Sequence, residues 1–140
     1  MEKLLYEITI TLPIFETMLL LENIYEVDYK FIKPEIKYKF TTIGIIPPPN
    51  KQELTVVIPK SNTDKNSIYV NEKLKDWYDL NCNNETHYTK NLTGDIKVIK
   101  FNQKGDIYST DVYLQSYPII FEENDDIIKM VFSVGCVYFG

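Results

Sequence analysis

The segment GDIYSTDVYLQSYPIIFEENDDIIKMVFSVGCVYFG, residues 105–140, decides how this chain is read. Side chains of a strand alternate between faces, so an apolar residue at every second position marks a half-buried strand. From Ile127 to Phe139 one row holds Ile128, Met130, Phe132, Val134, Cys136 and Tyr138. The opposite row, with Ile127, Val131 and Val137, is also half apolar, so both faces of this strand call for cover. An edge strand of that kind offers unpaired backbone groups that proteins normally blunt or satisfy. Either the sheet closes on itself or another subunit closes it.

Working back from there, Asp95 to Phe101 and Asp106 to Gln115 read as two further strands across the turn NQKG, and the acidic EENDD (122–126) as a turn. Near the start, Tyr6, Ile8, Ile10 and Leu12 alternate with Glu7, Thr9 and Thr11. From Leu21 onward, Tyr25, Val27, Tyr29 and Phe31 share one face against Glu26, Asp28 and Lys30. A strand through Ile36, Tyr38 and Phe40 shifts phase to Ile43 and Ile45, which predicts a bulge at residues 42–44. Pro47, Pro48 and Pro49 remove three backbone donors, so this piece is a stiff loop and not a central strand. The sheet resumes with Leu54, Val56 and Ile58, and SNTDKN (61–66) is a polar turn.

After that turn the period changes from two to helical. Val70, Leu74, Trp77 and Tyr78 recur on one side, with Glu72, Lys73, Lys75, Asp76 and Asp79 largely on the other. Trp77, Leu74 and Val70 are the structural anchor of this single helix. The aperiodic, polar NCNNETHYTKN (81–91) reads as a loop.

The 140 residues suit one domain with one core. With 44% hydrophobic and 25% charged residues the composition is that of a soluble globular protein, rich in strand-favouring aromatics: 11 Tyr and 7 Phe. A formal net charge of -5 argues against a protein that grips nucleic acid by neutralising phosphates. MEKLLYEITITLPIF is not expected to be a secretory signal, because Glu7 interrupts its apolar part and no small-residue cleavage site follows. No apolar run is long enough to span a bilayer. Cys82 and Cys136 are therefore expected to be reduced, partly buried thiols, and the two glycosylation sequons at Asn84 and Asn91 chance matches.

No catalytic, cofactor or metal site is expected. The lone His87, five residues from Cys82, matches no zinc spacing. EENDD lacks the glycine and spacing of a calcium loop, and only 5 Gly are present, none in a phosphate-binding pattern. The isoleucines of Ile45-Ile46-Pro47-Pro48-Pro49 are poor material for a solvated turn, so this loop is expected either to pack on an adjacent ring or subunit or to form a rigid hairpin end folded on its own barrel. Val131 and Val137, on the second apolar row of the last strand, complete the candidate assembly interface.

The order of signals resembles the tail tube protein family of contractile-tailed bacteriophages, which is related to the tubes of contractile injection and type VI secretion systems. The resemblance runs from Glu53 to Phe139: the strand ELTVVI, a polar turn, the helix with Leu74, Asp76 and Trp77, a polar loop, the strand-turn-strand with Gly105, the pair Tyr117-Pro118, an acidic loop and the final alternating strand. Two departures are Tyr117, where the family commonly has tryptophan, and the few residues before Tyr6, where it often has a longer arm. The resemblance implies a mainly β fold, a small sandwich or barrel of about seven strands with one flanking helix, whose strands add to a multi-subunit barrel. It implies hexameric rings stacked around a channel for DNA, and sheath, tape-measure and baseplate proteins as partners. The implied location is the virion, after assembly in the host cytoplasm. A tube-initiating or tube-terminating ring, an injection-system tube, and a stand-alone β-barrel binding module are the alternatives.

Overall fold

The computed structural model describes residues 5–33, 40–41, 44–45, 51–61, 63–82 and 92–140. The first strand, β1 (Leu5–Leu12), places Ile8, Ile10 and Leu12 in the core. A 3-10 turn over Pro13–Phe15 follows, and Glu16, in left-handed backbone (φ 49°), returns its N–H to the Pro13 carbonyl at 3.1 Å. The chain then runs back along β1 as β2 (Thr17–Leu21). The sequence hides this strand, because MLLL is an unbroken apolar run in which no alternation is visible.

β3 (Glu26–Ile32) turns Val27 and Tyr29 toward the core. Two short strands, β4 (Phe40–Thr41) and β5 (Gly44–Ile45), pair with each other. The expected strand at residues 36–39, the bulge around residues 42–43 and the segment Ile46 to Pro49 lie outside the described residues. β6 (Lys51–Pro59) buries Leu54, Val56 and Ile58.

The helix α1 (Lys65–Cys82) starts where the Asp64 carboxylate accepts the Ser67 N–H at 3.1 Å, satisfying one of the unpaired donors of the first turn. β7 (Gly94–Phe101) and β8 (Ile107–Glu123) form a hairpin. β8 does not stop at Gln115. It continues through Pro118 for 17 residues, bent where Gln115 takes φ 53° and where the register slips between Pro118 and Ile120.

The last predicted strand is in fact two, β9 (Ile127–Ser133) and β10 (Cys136–Phe139). They part at Gly135, whose N–H bonds to the Leu114 carbonyl at 3.0 Å. A Cβ there would stand 2.9 Å from the Gln115 Cβ, so only glycine lets the chain cross the corner of β8 this closely. The apolar row beginning at Ile128 therefore ends at Val134, while Cys136 and Tyr138 are exposed.

Eight strands form one open, wholly antiparallel path, β2-β1-β7-β8-β9-β6-β3, with β10 joined to β8. Because β8 bends, this path folds into two layers. The front layer is β2-β1-β7-β8-β10, using the first half of β8, and the back layer is β8-β9-β6-β3, using the second. Tyr29 of the back layer lies 5.6 Å from Tyr113 and 5.5 Å from Phe139 of the front, centroid to centroid. One buried cluster joins both layers and α1 through Ile10, Leu19, Val56, Leu74, Ile96 and Met130. The molecule is a flattened, mainly β sandwich with one flanking helix.

Candidate assembly edges

An open sandwich has strand edges, and each exposes backbone donors and acceptors that need a partner or a guard. Four edges follow from the topology, and they are treated differently. β3 is guarded by charge: Glu26, Asp28 and Lys30 alternate along it, with the Lys30 ammonium 3.7 Å from Asp28. The second half of β8 is covered by α1. There the Tyr78 ring stacks on Phe121 at 5.7 Å, and Glu123 bridges Lys60 at 3.3 Å and Lys75 at 3.7 Å.

The helix is held firmly enough to act as that cover. Trp77 is fully buried, 5.5 Å from the Phe132 ring, and its indole N–H donates to the Leu92 carbonyl at 2.7 Å. Asn81 donates to the same carbonyl at 3.2 Å and accepts the Leu92 N–H at 2.9 Å, which ties the chain beyond the helix back to it. Leu74 and Val70 are buried one and two turns earlier. Gly94 makes room for this packing, since a Cβ there would come within 3.3 Å of the Trp77 ring and 2.8 Å of the Thr11 carbonyl.

The remaining two edges carry no charged side chain, though α1 also touches β2, its Tyr69 hydroxyl lying 3.3 Å from the Thr17 Oγ1. β2 has β1, and β10 has β8, as the one strand partner among the described residues. Thr17-Met-Leu-Leu-Leu21 and Cys136-Val-Tyr-Phe139 contain no charge. Both present apolar side chains on both rows. Leu19 and Leu21 are in the core while Met18 is 67% exposed. Val137 packs against the core while Tyr138 is 61% and Phe139 65% exposed. Monomeric proteins avoid edges of this kind, which template pairing with another chain. The two stand at opposite ends of the front layer.

The candidate residues distribute accordingly. Val137 lies on the open strand β10. Val131 does not lie at an edge: β9 is flanked by β8 and β6, and Val131 is only 7% exposed, on the face of the back layer turned away from the core cluster. A mid-sheet side chain between Thr55 and Ile120 is shielded by its own neighbours. Ile45 is in β5, while Ile46, Pro47, Pro48 and Pro49 are outside the described residues, as is His87. Met18 and Leu20 were not legible as site residues, and their one signal is an uncharged stretch between Glu16 and Glu22. Both cysteines are free, and both are exposed instead of partly buried. Cys136 lies on the outer row of an edge strand and Cys82 at the end of α1.

Polar chemistry inside the sandwich is sparse. Asp111 is 4% exposed beside the Lys100 ammonium at 3.5 Å. Burial first, then the Asp111 carboxylate and Tyr29, holds the Tyr113 hydroxyl well above the ordinary tyrosine range. EENDD closes the β8–β9 hairpin, where the Asn124 side chain accepts the N–H groups of Asp126 and Ile127 at 2.8 Å. Among the described residues no three His, Cys, Asp or Glu side chains are grouped to hold a metal ion, and no helix is long and apolar enough to cross a membrane.

No family model matches the sequence, and no characterised protein matches it at the level of sequence. Solved structures do match its fold. A chain of the six-fold symmetrised anti-feeding prophage baseplate superposes with a TM-score of 0.57 at 7% identity, over 96% of this chain and 91% of that one. Hcp1 from Flavobacterium johnsoniae gives 0.55 at 10% identity, over 96% and 94%. A chain of the sheath-tube complex of an extracellular contractile injection system, PVC, in its extended state gives 0.52 at 12% identity, over 97% and 88%. The chain thus shares its fold with Hcp1 and with chains of a baseplate and of a sheath-tube complex of a contractile injection system.

Proposed function

We propose that this chain is the ring-forming subunit of a bacteriophage tail tube, six copies closing around a channel through which DNA passes. The observation that carries the reading is the pair of uncharged strand edges, β2 and β10, at opposite ends of one sheet. Two different edges on one subunit make a head-to-tail contact, and such a contact closes without free ends when the rotation completes a ring. The fold shared with tube and baseplate assemblies supports the ring geometry, and six-fold symmetry in one of them supports the number.

In such a ring the back layer and α1 stand on the core side of the front layer and form the broader outer shell. The other face of the front layer, with Glu7, Thr9, Thr11, Lys97 and Val112, then lines the channel. A wall with so few cations does not hold a polyanion, which suits passage of DNA without binding. The role is structural, with no reaction and no cofactor. Its partners are further copies of itself, then sheath, tape-measure and baseplate proteins, in a virion assembled in the host cytoplasm. The baseplate and injection-system structures among its fold neighbours favour, as second reading, an initiator or terminator ring or the tube of an injection system.

Electron microscopy tests the proposal. Purified protein is expected to form rings of roughly 60–100 Å, the size of six domains of about 15 Å gyration radius around a hollow centre. In the native particle the chain should occupy the tube or its terminal rings. Density for it outside any ring would overturn the reading.

A further inference from the structure

At the end of the back layer where β6 and β8 finish and β9 begins, residues far apart in sequence meet under α1 and line an open cavity of about 350 Å³. Lys60, the residue after β6, is fixed there by its N–H, which donates to the Asp126 carbonyl at 2.9 Å. Glu123 comes from the end of β8, and Asn71, Glu72 and Lys75 from α1, while Ile68 and Ile128 supply the apolar part of the lining. Ile68, Asn71 and Lys75 are three and four residues apart, so one face of the helix presents all three.

Donors outnumber acceptors in this lining. The Asn71 amide nitrogen is shut off from solvent and has no acceptor among the described residues. A buried donor left unpaired costs free energy, and native structures carry few of them. The two ammoniums share a single carboxylate, Glu123, at 3.3 Å from Lys60 and 3.7 Å from Lys75. Neither distance reaches the ~2.7–2.9 Å of a strong charge-assisted hydrogen bond, so both lysines keep donors to spare. We propose that this cavity is a binding site for a carboxylate, held between the Lys60 and Lys75 ammoniums with one oxygen on the Asn71 amide. Glu123 shows which group the lysine pair accepts, and its partly exposed side chain can swing toward solvent when a ligand displaces it. Glu72 opposes binding: two lysines against two carboxylates leave the lining formally neutral, so the native site is weak and Glu123 competes for it. A smaller cavity of about 20 Å³ on the other side of Asn71, the size of one water, offers its amide a rival partner. The site is independent of the ring, since none of its residues lies on β2 or β10.

A free polycarboxylate and a glutamate of an acidic peptide present the same group, so both serve as probes. Citrate and an acetylated, amidated tetraglutamate are titrated calorimetrically into the native chain and its variants, at low ionic strength because salt screens such a site. Glu123→Gln removes the competing carboxylate and one negative charge, and should bind about tenfold tighter than the native chain. Added to Glu123→Gln, Asn71→Leu and Lys75→Met should each weaken binding about tenfold, the effect of losing one hydrogen bond to a charged group. The Lys75 side chain is 54% exposed, so its variant is expected to fold even where Asn71→Leu does not. Binding of either probe with that dependence supports the site, citrate alone pointing to a small molecule and the peptide to an acidic partner segment. No binding of either probe to Glu123→Gln would overturn it, and so would binding that Lys75→Met leaves unchanged. Asn71→Leu that lowers the melting temperature without weakening binding would assign the amide to an internal water, and would overturn it as well.

Discussion

Two side chains show how burial sets consequences at the scale of a residue. Trp77 is enclosed on its ring faces and hydrogen-bonded at its nitrogen, so Trp77→Ala both opens a cavity and leaves the Leu92 carbonyl without the indole donor. The cost expected is about 3–5 kcal/mol, read as a lowered midpoint in denaturant unfolding, and an unchanged midpoint would contradict the packing described. Tyr113 makes a prediction in pH. Its folded pKa is raised, so the native state keeps the proton after the unfolded chain has begun to lose it. The stability this contributes is complete below the unfolded value near 10 and is lost as pH rises from there toward the folded value. Unfolding midpoints should fall more steeply above about pH 10 for the native protein than for Tyr113→Phe, and parallel profiles would contradict it. The sequence disclosed Trp77 through its spacing from Val70 and Leu74. It could not disclose Tyr113, because eleven tyrosines look alike until the fold places one against Asp111.

Elements were legible where one face is wet and the other dry. β1, β3, β6, β7 and α1 announce themselves by period, since each buries alternate or helically spaced side chains and exposes polar ones between. β2 has apolar residues on both faces and does not. The division of the last strand into β9 and β10 was hidden for another reason: the apolar alternation runs on through Gly135, and only the approach of Gln115 forces the break there. The assignment of the exposed edge moved with it, from the whole of residues 127–139 to the four residues of β10. The loop from Ile45 to Pro49 remains a proposal from sequence, that it leaves its own domain and packs on an adjacent ring or subunit. Ile45→Ser combined with Ile46→Ser should abolish assembly while leaving a folded monomer with an unchanged circular dichroism spectrum. Normal tubes from that variant would refute it.

At the scale of the whole molecule, the distribution of charge separates head-to-tail growth from a symmetric dimer. A lysine placed on an edge strand blocks its pairing at little cost to the fold when the position is already exposed, as Leu20 and Tyr138 both are. In a head-to-tail ring each subunit uses β2 once and β10 once. Leu20→Lys therefore closes one edge and leaves β10 competent, while Tyr138→Lys closes β10 and leaves β2 competent. Each variant alone has no matching edge to meet and should be monomeric by light scattering. Mixed in equal amounts, the two can form one good seam and no more, so the mixture should stop at heterodimers. A symmetric contact predicts the reverse: if β10 paired with β10, or β2 with β2, one of the single variants would dimerise by itself. Heterodimers only on mixing would support the polarity of the subunit and head-to-tail growth, since a subunit with both edges unblocked then meets a neighbour at each, and such growth becomes a ring when the rotation closes.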